Sequence, residues 1–459
     1  MEVGVFNMSF MQNEFSGIGM RLIWSEENRV QKILEVERAL AIVEAKYGLI
    51  PQDKAQLIDQ HLHLAETDWR KIRLSYARSG HFVSGLVKYF EEILPDHAGD
   101  YLHFGSTTQD ILDTGMILQL KEAHKDTKKR AWDLIRAVAK QAREQANVIT
   151  VGRVHGQIAN PILLGHQLAI YLEELMDLYE ELDRIEDKTF YSAISGVVGT
   201  YAGYGYDGLS IAEKVADKLG LNFDPIGWHT RRERLVDYMH LLAKFAGVIG
   251  KAASNLVNLA RTEIDEYEES YRGGRQGSTA VPTLRCPYLN EATLNLAHLV
   301  HNEMNLMYQS MLVTHEKDTI AWRNQWVAIP AINMYLSCMF NYLTSSFNNG
   351  RFKQDQIAKN LAASGGKLQA EKLMNTLATR LGKHRAHELV YELGNASVEE
   401  NADFVNIVKQ NQEVNEILSA EELKAIFKPE NGLGASKILY QKVMGRYDDL
   451  LAKQKETNF

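Results

Sequence analysis

Residues 231–268 read RRERLVDYMHLLAKFAGVIGKAASNLVNLARTEIDEYE. Apolar residues recur in this stretch at alternating spacings of three and four, namely Leu235, Tyr238, Leu242, Phe245, Ile249, Ala252, Leu256 and Leu259. That spacing places them along one stripe of an α-helix. At 1.5 Å per residue such a helix is roughly 60 Å long. A helix of this length is typical of a long bundle, often one that packs across subunits.

The prolines outline the rest of the fold. There are only eight in 459 residues, and because proline disrupts helix interiors, the gaps between them are where long helices can run. Similar apolar periodicity is found in the segments 113–147, 161–187, 291–314 and 317–347. Strand signals are scarce. The sequence therefore predicts an all-α protein with an N-terminal helical domain (1–108), a central long-helix bundle (109–362) and a C-terminal helical domain (363–459).

Composition argues against several classes of protein. The net charge is −8 and the Lys and Arg residues are scattered, whereas nucleic-acid binding needs a basic face. No stretch approaches the ~18 uninterrupted apolar residues of a membrane span, and the N-terminus lacks a signal-peptide pattern. Cys286 and Cys338 form neither a disulfide framework nor a metal-binding spacing. We expect a cytoplasmic protein that binds neither nucleic acid nor membrane.

Three polar, glycine-containing segments interrupt the helices. The first, HFGSTTQD (103–110), ends in hydroxyls and an Asp just before an apolar-periodic run, as a helix N-terminus does. Such a terminus is either a simple capping turn or a place where free N–H groups bind an anion. The second, GRVHGQ (152–157), precedes Pro161 at the expected start of the next helix. A single His in such a loop is usually structural.

The third segment is GGRQGSTAVPTLRCP (273–287). A loop of about 20 residues between long helices is uncommon unless it is a functional lid or disordered. Its glycines favour a mobile lid. Ser278 follows Gly277, and serine acts as a base only when desolvation, an anion-stabilising environment and a proton acceptor assist it.

In this order and spacing the three segments resemble the signature regions of the aspartase/fumarase (argininosuccinate lyase) superfamily. The likeness extends from VERAL (36–40) to LGKHRAHELV (381–390). The resemblance implies a homotetramer whose active sites each combine the three regions from three different subunits. It also implies an elimination in which a proton leaves the carbon next to a carboxylate. An amine or oxygen then leaves the adjacent carbon, commonly releasing fumarate.

Within the superfamily the sequence is similar to adenylosuccinate lyase and 3-carboxy-cis,cis-muconate cycloisomerase. WHTRRER (228–234) resembles their WHTQRDR-type segment, and HEKDTIAWRNQW (315–326) resembles a run of the cycloisomerase. Where adenylosuccinate lyases carry a Ser and an Arg for the nucleotide phosphate, this chain has Trp322 and Trp326. Indole cannot replace a guanidinium at a phosphate, so the resemblance argues against an adenylosuccinate substrate.

The resemblance also assigns roles to residues. Ser278 corresponds to the proton-abstracting base, His155 to a general acid or acid relay, and Glu291 to the group that orients the His. Thr107 and Thr108 correspond to the pair that binds a substrate carboxylate. The full set of predicted substrate-binding residues is His81, His103, Ser106, Thr107, Thr108, Gln109, Gln157, Arg231, Thr279 and Arg285.

The signature loop departs from the family pattern. The family reads GSSxMPxKxNP where this chain reads GSTAVPTLRCP, so Leu284 replaces the Lys and Cys286 replaces the Asn. Val154 replaces the Thr before the catalytic His. In the family these three side chains converge on one substrate carboxylate, and losing such donors weakens transition-state stabilisation. Three explanations remain open. The substrate has a different group in place of this carboxylate, or one of the arginines Arg231 and Arg285 replaces the Lys, or catalysis is lost.

The sequence thus predicts a lyase or cycloisomerase that cleaves a C–N or C–O bond of a small carboxylate-bearing molecule by general acid–base β-elimination. Two alternatives remain open: a 3-carboxy-cis,cis-muconate cycloisomerase proper, and a catalytically silent member that keeps the tetramer for binding or structure. There is no P-loop, dinucleotide fingerprint or metal-ligand cluster. We therefore expect no metal and no organic cofactor.

Overall fold

The structure is a computed structural model that describes residues 4–271 and 277–457. It is 72% helical, which confirms the predicted all-α class. The helices of the described residues are α1 (Gln12–Phe15), α2 (Ile18–Ile23), α3 (Glu26–Lys46), α4 (Gln52–His61), α5 (Trp69–Ser79), α6 (Phe82–Ile93), α7 (Thr108–Glu144), α8 (Leu164–Thr189), α9 (Gly208–Leu219), α10 (Glu233–Leu259), α11 (Tyr288–Gln309), α12 (Thr319–Asn349), α13 (Gln354–Ala362), α14 (Ala370–Leu381), α15 (Lys383–Glu399), α16 (Phe404–Gln410), α17 (Gln412–Ile417), α18 (Ala420–Ile426) and α19 (Ser436–Thr457). Two antiparallel pairs join β1 (Ile149–Val154) to β2 (Gln157–Leu163) and β3 (Tyr267–Glu268) to β4 (Arg351–Phe352).

The chain forms two compact units, each made of three separate stretches. The first comprises Met1–Ala131, Leu178–Gly247 and Asn295–Asn341, and the second comprises Trp132–Asp177, Val248–Leu294 and Tyr342–Phe459. The helices α7, α8, α10, α11 and α12 contribute residues to both units. This division cuts across the three sequential domains expected from the sequence, which stay a prediction.

In the first unit α3 supplies a buried face. Ser25 caps its start, because the Ser25 hydroxyl accepts the N–H of Asn28 at 3.1 Å. The helix packs against α4 and α9. Its buried face is not wholly apolar, since it carries Glu37 and Glu44, which are 2% and 1% exposed. Two buried acids on one helix need partners or protonation, and Glu37 lies beside a predicted site residue described below.

In the second unit the C-terminal helices have their own core. The helices α14 and α15 pack against each other. Their buried apolar residues cluster with those of α16, α17 and α18, among them Leu373, Leu377, Leu389, Phe404, Val408, Val414 and Leu423. At the start of α18 Ser419 and Glu422 form a reciprocal capping box, a device that satisfies two otherwise free backbone donors.

The hairpin β1–β2 was not predicted. Pro161 was expected to open a helix, but it lies in β2 opposite Val151, and α8 begins only at Leu164. His155 and Gly156 connect the strands with φ of 52° and 77°. Positive φ at both positions is the requirement of a type I′ turn, whose twist matches that of a hairpin.

The helix α10 is shorter than expected. It ends at Leu259, so its 27 residues span about 40 Å. Beyond it Asp265 adopts a φ of 51°, and the chain turns into β3. The apolar stripe from Leu235 to Leu256 is at most 2% exposed. One chain therefore covers this stripe, and the stripe gives no support for packing across subunits.

The other long helices lie close to their predicted ranges. One exception to the proline argument is Pro330, which lies inside α12. Among the helices within residues 4–271 and 277–457, none is long and apolar enough to cross a membrane.

Candidate active-site segments

The predicted site residues fall into two groups, one in each unit. The first unit carries His81, His103, the segment 106–109 and Arg231. The second unit carries the hairpin turn with His155 and Gln157, the loop 277–287 and Glu291.

The first group centres on the start of α7, at Thr108, as the sequence predicted. Asp110 organises this start: its carboxylate accepts the N–H of Thr107 at 2.9 Å and the N–H of Ser195 at 2.9 Å. The carboxylate is fully buried, and the His229 Nε2 atom lies 3.0 Å from it. Asp110 therefore fixes the loop before α7 and ties it to the segment after α8.

Hydroxyl, imidazole and ammonium groups meet at this helix start. The Lys317 ammonium donates to the Thr107 hydroxyl at 3.0 Å, and the Thr108 hydroxyl lies 3.4 Å from the His81 Nε2 atom. The Ser106 hydroxyl donates to the carbonyl of His103 at 3.3 Å. A cation beside hydroxyls at a helix N-terminus provides the donors and the positive potential that favour a carboxylate.

His103 is held by a buried carboxylate. Its Nδ1 atom lies 2.7 Å from Glu37 Oε1. Burial disfavours the imidazolium, but the charges of Glu37 and Asp110 outweigh burial and hold the pKa of His103 above its ordinary value. Burial, with the nearby charge of Glu37, raises the pKa of Glu44 to about 9. At neutral pH Glu44 is therefore neutral.

Gln109 does not reach the site. It is 1% exposed, and its amide donates to Asp113 at 3.1 Å and to the carbonyl of His229 at 3.2 Å. Asp113 also pairs with Arg232 at 2.7 Å and accepts the Trp322 indole N–H at 2.7 Å. Gln109 is thus part of a buried polar network, and its predicted contact with substrate is withdrawn.

The two arginines proposed as replacements for the lost Lys are already paired. Arg231 donates to Asp224 at 3.1 Å and to Glu233 at 3.3 Å. Arg285 forms an ion pair with Glu268. Both guanidinium groups are therefore engaged in ion pairs, although Asp224 is shared with Arg234 and Glu268 with Arg351. Each arginine would have to leave its carboxylate to replace the Lys.

In the second group His155 occupies the tip of the β1–β2 turn. His155 and Gln157 are exposed, and Val154 beside them is 58% exposed. The base of the hairpin is fixed, since Arg153 pairs with the buried Glu266 at 2.6 Å. The imidazole is therefore presented to the outside of the chain by a firmly anchored turn.

The described part of the signature loop folds back on itself. The Ser278 Oγ atom accepts the N–H groups of Ala280 at 3.2 Å and Val281 at 3.0 Å. Donors aimed at this oxygen favour its anionic form, which a serine base needs. A side chain at Gly277 would lie 2.1 Å from the carbonyl oxygen of Leu284, so the loop requires glycine there. Gly273 and Gly274, on which the expected mobility also rested, lie outside the described residues.

The remaining residues of the second group are more isolated. Thr279 and Leu284 are exposed, and so is Glu291 in the first turn of α11. Among the hydrogen bonds of residues 4–271 and 277–457, none joins Glu291 to His155. Glu269 supports this turn instead, accepting the N–H of Leu289 at 3.1 Å and the side chain of Asn290 at 2.8 Å. Within one chain the predicted His–Glu pairing does not form.

Sequence reasoning missed Asp110, Glu37, Lys317 and Glu269 as organisers of these segments. The first three lie inside motifs quoted above, and Asp110 also follows Thr107 at capping-box spacing. That spacing could have identified Asp110 as a residue that fixes the start of the helix. Glu269 lies outside every motif, so no sequence pattern indicated it.

Comparison with known proteins assigns the family. Residues 16–301 match the family described as "Lyase", and residues 366–443 match "Adenylosuccinate lyase C-terminus". The chain belongs to the aspartase/fumarase superfamily of lyases. The predicted superfamily is confirmed, and so is the lyase class of the enzyme.

Superfamily members with full-length similarity are found among curated and solved proteins. An N-acetyl-S-(2-succino)cysteine lyase of Dickeya dadantii is 34% identical over 95% of this chain and 96% of its own length. The protein of that name from Enterococcus italicus is also 34% identical, with the same coverage of 95% and 96%. The crystal structure of a 3-carboxy-cis,cis-muconate lactonizing enzyme from Pseudomonas putida matches with a TM-score of 0.88 and 28% identity, covering 95% of this chain and 98% of that one.

Proposed function

We propose that this lyase acts on a thioether of succinate, an S-(2-succino) derivative of an acylated amino acid, and releases fumarate and a thiol. The observation that carries the proposal is the 34% identity, over nearly the whole chain, to two lyases named for such a substrate. This keeps the predicted β-elimination from a small carboxylate-bearing molecule. It changes the bond to be cleaved from C–N or C–O to C–S.

The described segments fit the steps of this reaction. Thr107, Thr108 and Lys317 hold one succinyl carboxylate at the start of α7. Ser278, as its alkoxide, removes the proton from the carbon next to a carboxylate; the C–H electron pair forms the double bond of fumarate, and the C–S pair leaves with sulfur. His155, exposed on its turn, supplies a proton to the departing thiolate.

A sulfur leaving group also fits the altered signature loop. A free thiol has a pKa of about 8.5, whereas an alkyl amine must be protonated before it can leave. Elimination of a thiolate therefore places a smaller demand on acid catalysis and on carbanion stabilisation. That lowers the need for the Lys and Asn that Leu284 and Cys286 replace. A different substrate therefore explains the loss of the signature Lys better than its replacement by an arginine, since Arg231 and Arg285 are already ion-paired.

A substrate panel tests the proposal. The purified protein is incubated with S-(2-succino)-N-acetylcysteine, adenylosuccinate and 3-carboxy-cis,cis-muconate, and fumarate is followed by its ultraviolet absorbance with chromatography of the products. We expect fumarate and N-acetylcysteine from the thioether and no turnover of adenylosuccinate, because Trp322 and Trp326 offer no guanidinium for a phosphate. Addition of a chelator is expected to leave the rate unchanged.

The same substrate panel tests the two alternative functions. Lactone formation from 3-carboxy-cis,cis-muconate alone would establish the cycloisomerase, which the tryptophan pair and the structural match to the Pseudomonas putida enzyme favour. No turnover of any compound, with a folded protein, would establish the silent member.

The homotetramer with shared sites is also a proposal. Its support is now the exposed apolar surface of the first unit, where Val197, Val198 and Ile226 are 64%, 51% and 63% exposed, since such patches mark interfaces. We expect sedimentation to give a tetramer. We also expect co-expression of the inactive His103→Ala and Ser278→Ala chains to restore measurable activity, because some mixed sites then contain both intact segments. A stable, active monomer would contradict shared sites.

A further inference from the structure

The first unit contains a cavity of about 230 Å³ beside the start of α7. Its walls include Trp24, Arg29, Leu112, Met116, Gln325 and Trp326. Pockets for drug-sized ligands have volumes of roughly 300–1,000 Å³, so this one suits a small organic group. Its lining is mostly aromatic and aliphatic, with one cationic side chain.

The cation is Arg29, and no carboxylate of the described residues contacts it directly. Its guanidinium lies over the ring of Trp326 at 5.1 Å and near the ring of Phe82 at 6.0 Å. Among residues 4–271 and 277–457 no ion pair or side-chain hydrogen bond of this guanidinium is found. Burial lowers its pKa, against the charges of Asp113 and Glu26, yet arginine stays charged at any physiological pH. The guanidinium is thus a positive charge that Asp113 and Glu26 influence from a distance but do not bind.

Trp24 also lines the cavity, but it adds no donor that a ligand there could reach, because its indole Nε1 atom is fully buried. The neighbouring Gln325 is not available, since its amide is bound to Ser310 at 3.0 Å and to Arg232 at 3.3 Å.

The cavity adjoins the carboxylate-binding segment of the proposed function. Leu112 lies on α7 one turn after Thr108, whose hydroxyl faces His81. On another wall Trp326 packs edge-on against Trp322, with ring centroids 4.9 Å apart. The cavity therefore begins about one helical turn from Thr108, where one succinyl carboxylate is proposed to bind.

We propose that this cavity binds the leaving half of the substrate, an N-acylated amino-acid thiol, by its carboxylate. The carboxylate binds the Arg29 guanidinium, while the carbon chain packs on Leu112, Met116 and Trp326. The nearby Asp113 does not compete, because it is already bound by Arg232 and Trp322. The inference rests on the proposed thioether function and specifies the thiol that it releases.

Product binding tests the inference without requiring turnover. N-acetylcysteine and N-acetylcysteamine differ by one carboxylate, and calorimetry compares their affinities for the full-length protein. We expect the wild type to favour N-acetylcysteine at least tenfold, in line with a hydrogen-bonded charge pair. Arg29→Met keeps an unbranched apolar chain over Trp326 and is expected to bring that ratio close to one.

Arg323→Met is the matched control. Arg323 is exposed and lies 6.0 Å from the ring of Trp326, but it does not line the cavity, so its loss is expected to leave the ratio unchanged. A wild-type ratio near one would overturn the inference, and so would an Arg29→Met protein that keeps the wild-type ratio. A wild type that shows the expected ratio yet releases no fumarate from the thioether would instead reject the proposed function and leave the carboxylate site standing.

Discussion

Replacing Ser278 with alanine is expected to lower kcat for the succinyl thioether by a factor on the order of 10²–10⁴, the usual effect of losing a general base. The reason lies in the loop geometry. Two backbone N–H groups point at the Ser278 oxygen, and such donors stabilise the alkoxide that removes the proton. The measurement is steady-state turnover with fumarate as the product, at a pH where the wild type is fully active.

The same hydrogen bonds make a structural role the main competing explanation, since Ser278 also closes the turn to Val281. Ser278→Asn separates the two, because an asparagine side chain still accepts backbone N–H groups but cannot act as an alkoxide. If the oxygen only holds the turn, the asparagine variant regains most of the activity. If Ser278 is the base, it stays as inactive as the alanine variant. Full activity of Ser278→Ala would show that the assigned base is wrong.

The helices could be predicted because their signal is local. Apolar residues at helical spacing determine which face is buried, and the stripe on α10 from Leu235 to Leu256 is indeed buried. The end of that helix could not be predicted in the same way. Residues 260–268 continue a helix-compatible composition, but tertiary pairing of Tyr267 with Phe352 competes successfully with helix propensity.

The hairpin at 149–163 is a second difference from the prediction, because here two strands form where the sequence indicated a loop and a helix start. The segment GRVHGQ indicates a loop around a candidate acid, yet its His155–Gly156 pair, a residue with Gly at the next position, is also a hairpin signal when apolar residues alternate around it. Pro161, which lies in β2, instead indicated the start of a helix. Pro161 is accommodated next to a register shift between Val151 and Arg153, where the regular ladder is interrupted.

The sequence could predict which segments form the candidate site, but not which side chains within and around them pair with each other. The start of α7 and the loop with Ser278 were located from motif and spacing alone. Which charges remain free depends on the folded path of the loops, which brings Asp224, seven residues away, to Arg231 and Glu268, 17 residues away, to Arg285. A single sequence carries no signal for such pairs. For that reason the unpaired Arg29, which no motif singled out, emerged only from the structure.

The pair Glu37–His103 leads to the second large effect. The variant Glu37→Gln removes the charge that lies 2.7 Å from His103 Nδ1. Because this charge holds the pKa of His103 above its ordinary value against burial, the variant is expected to lower that pKa. In metal sites, loss of the carboxylate that orients a histidine costs about 10–100-fold, and by analogy we expect kcat/KM to fall by that amount near neutral pH.

The sign of the pH dependence follows from the direction of the shift. A histidine whose pKa is raised by folding contributes stability that is fully present below its unfolded pKa of about 6.5 and is lost as pH rises through the folded value. The wild type should therefore lose stability in that window, measured by urea unfolding at several pH values with an NMR titration of His103. In Glu37→Gln the contribution of His103 to this loss should disappear, while Glu44, whose raised pKa gives a loss of the same sign, keeps its own contribution.

Glu44→Gln provides the control for that experiment. Glu44 lies on the same buried face of α3, but with its pKa raised to about 9 it carries no charge at neutral pH, so its amide variant removes no charge from His103. We expect Glu44→Gln to leave the His103 titration and kcat/KM near their wild-type values, while Glu37→Gln shifts both. Equal effects of the two variants would mean that packing of α3, and not the Glu37 charge, determines the state of His103. An unchanged His103 pKa in Glu37→Gln would show that Glu37 only orients the ring.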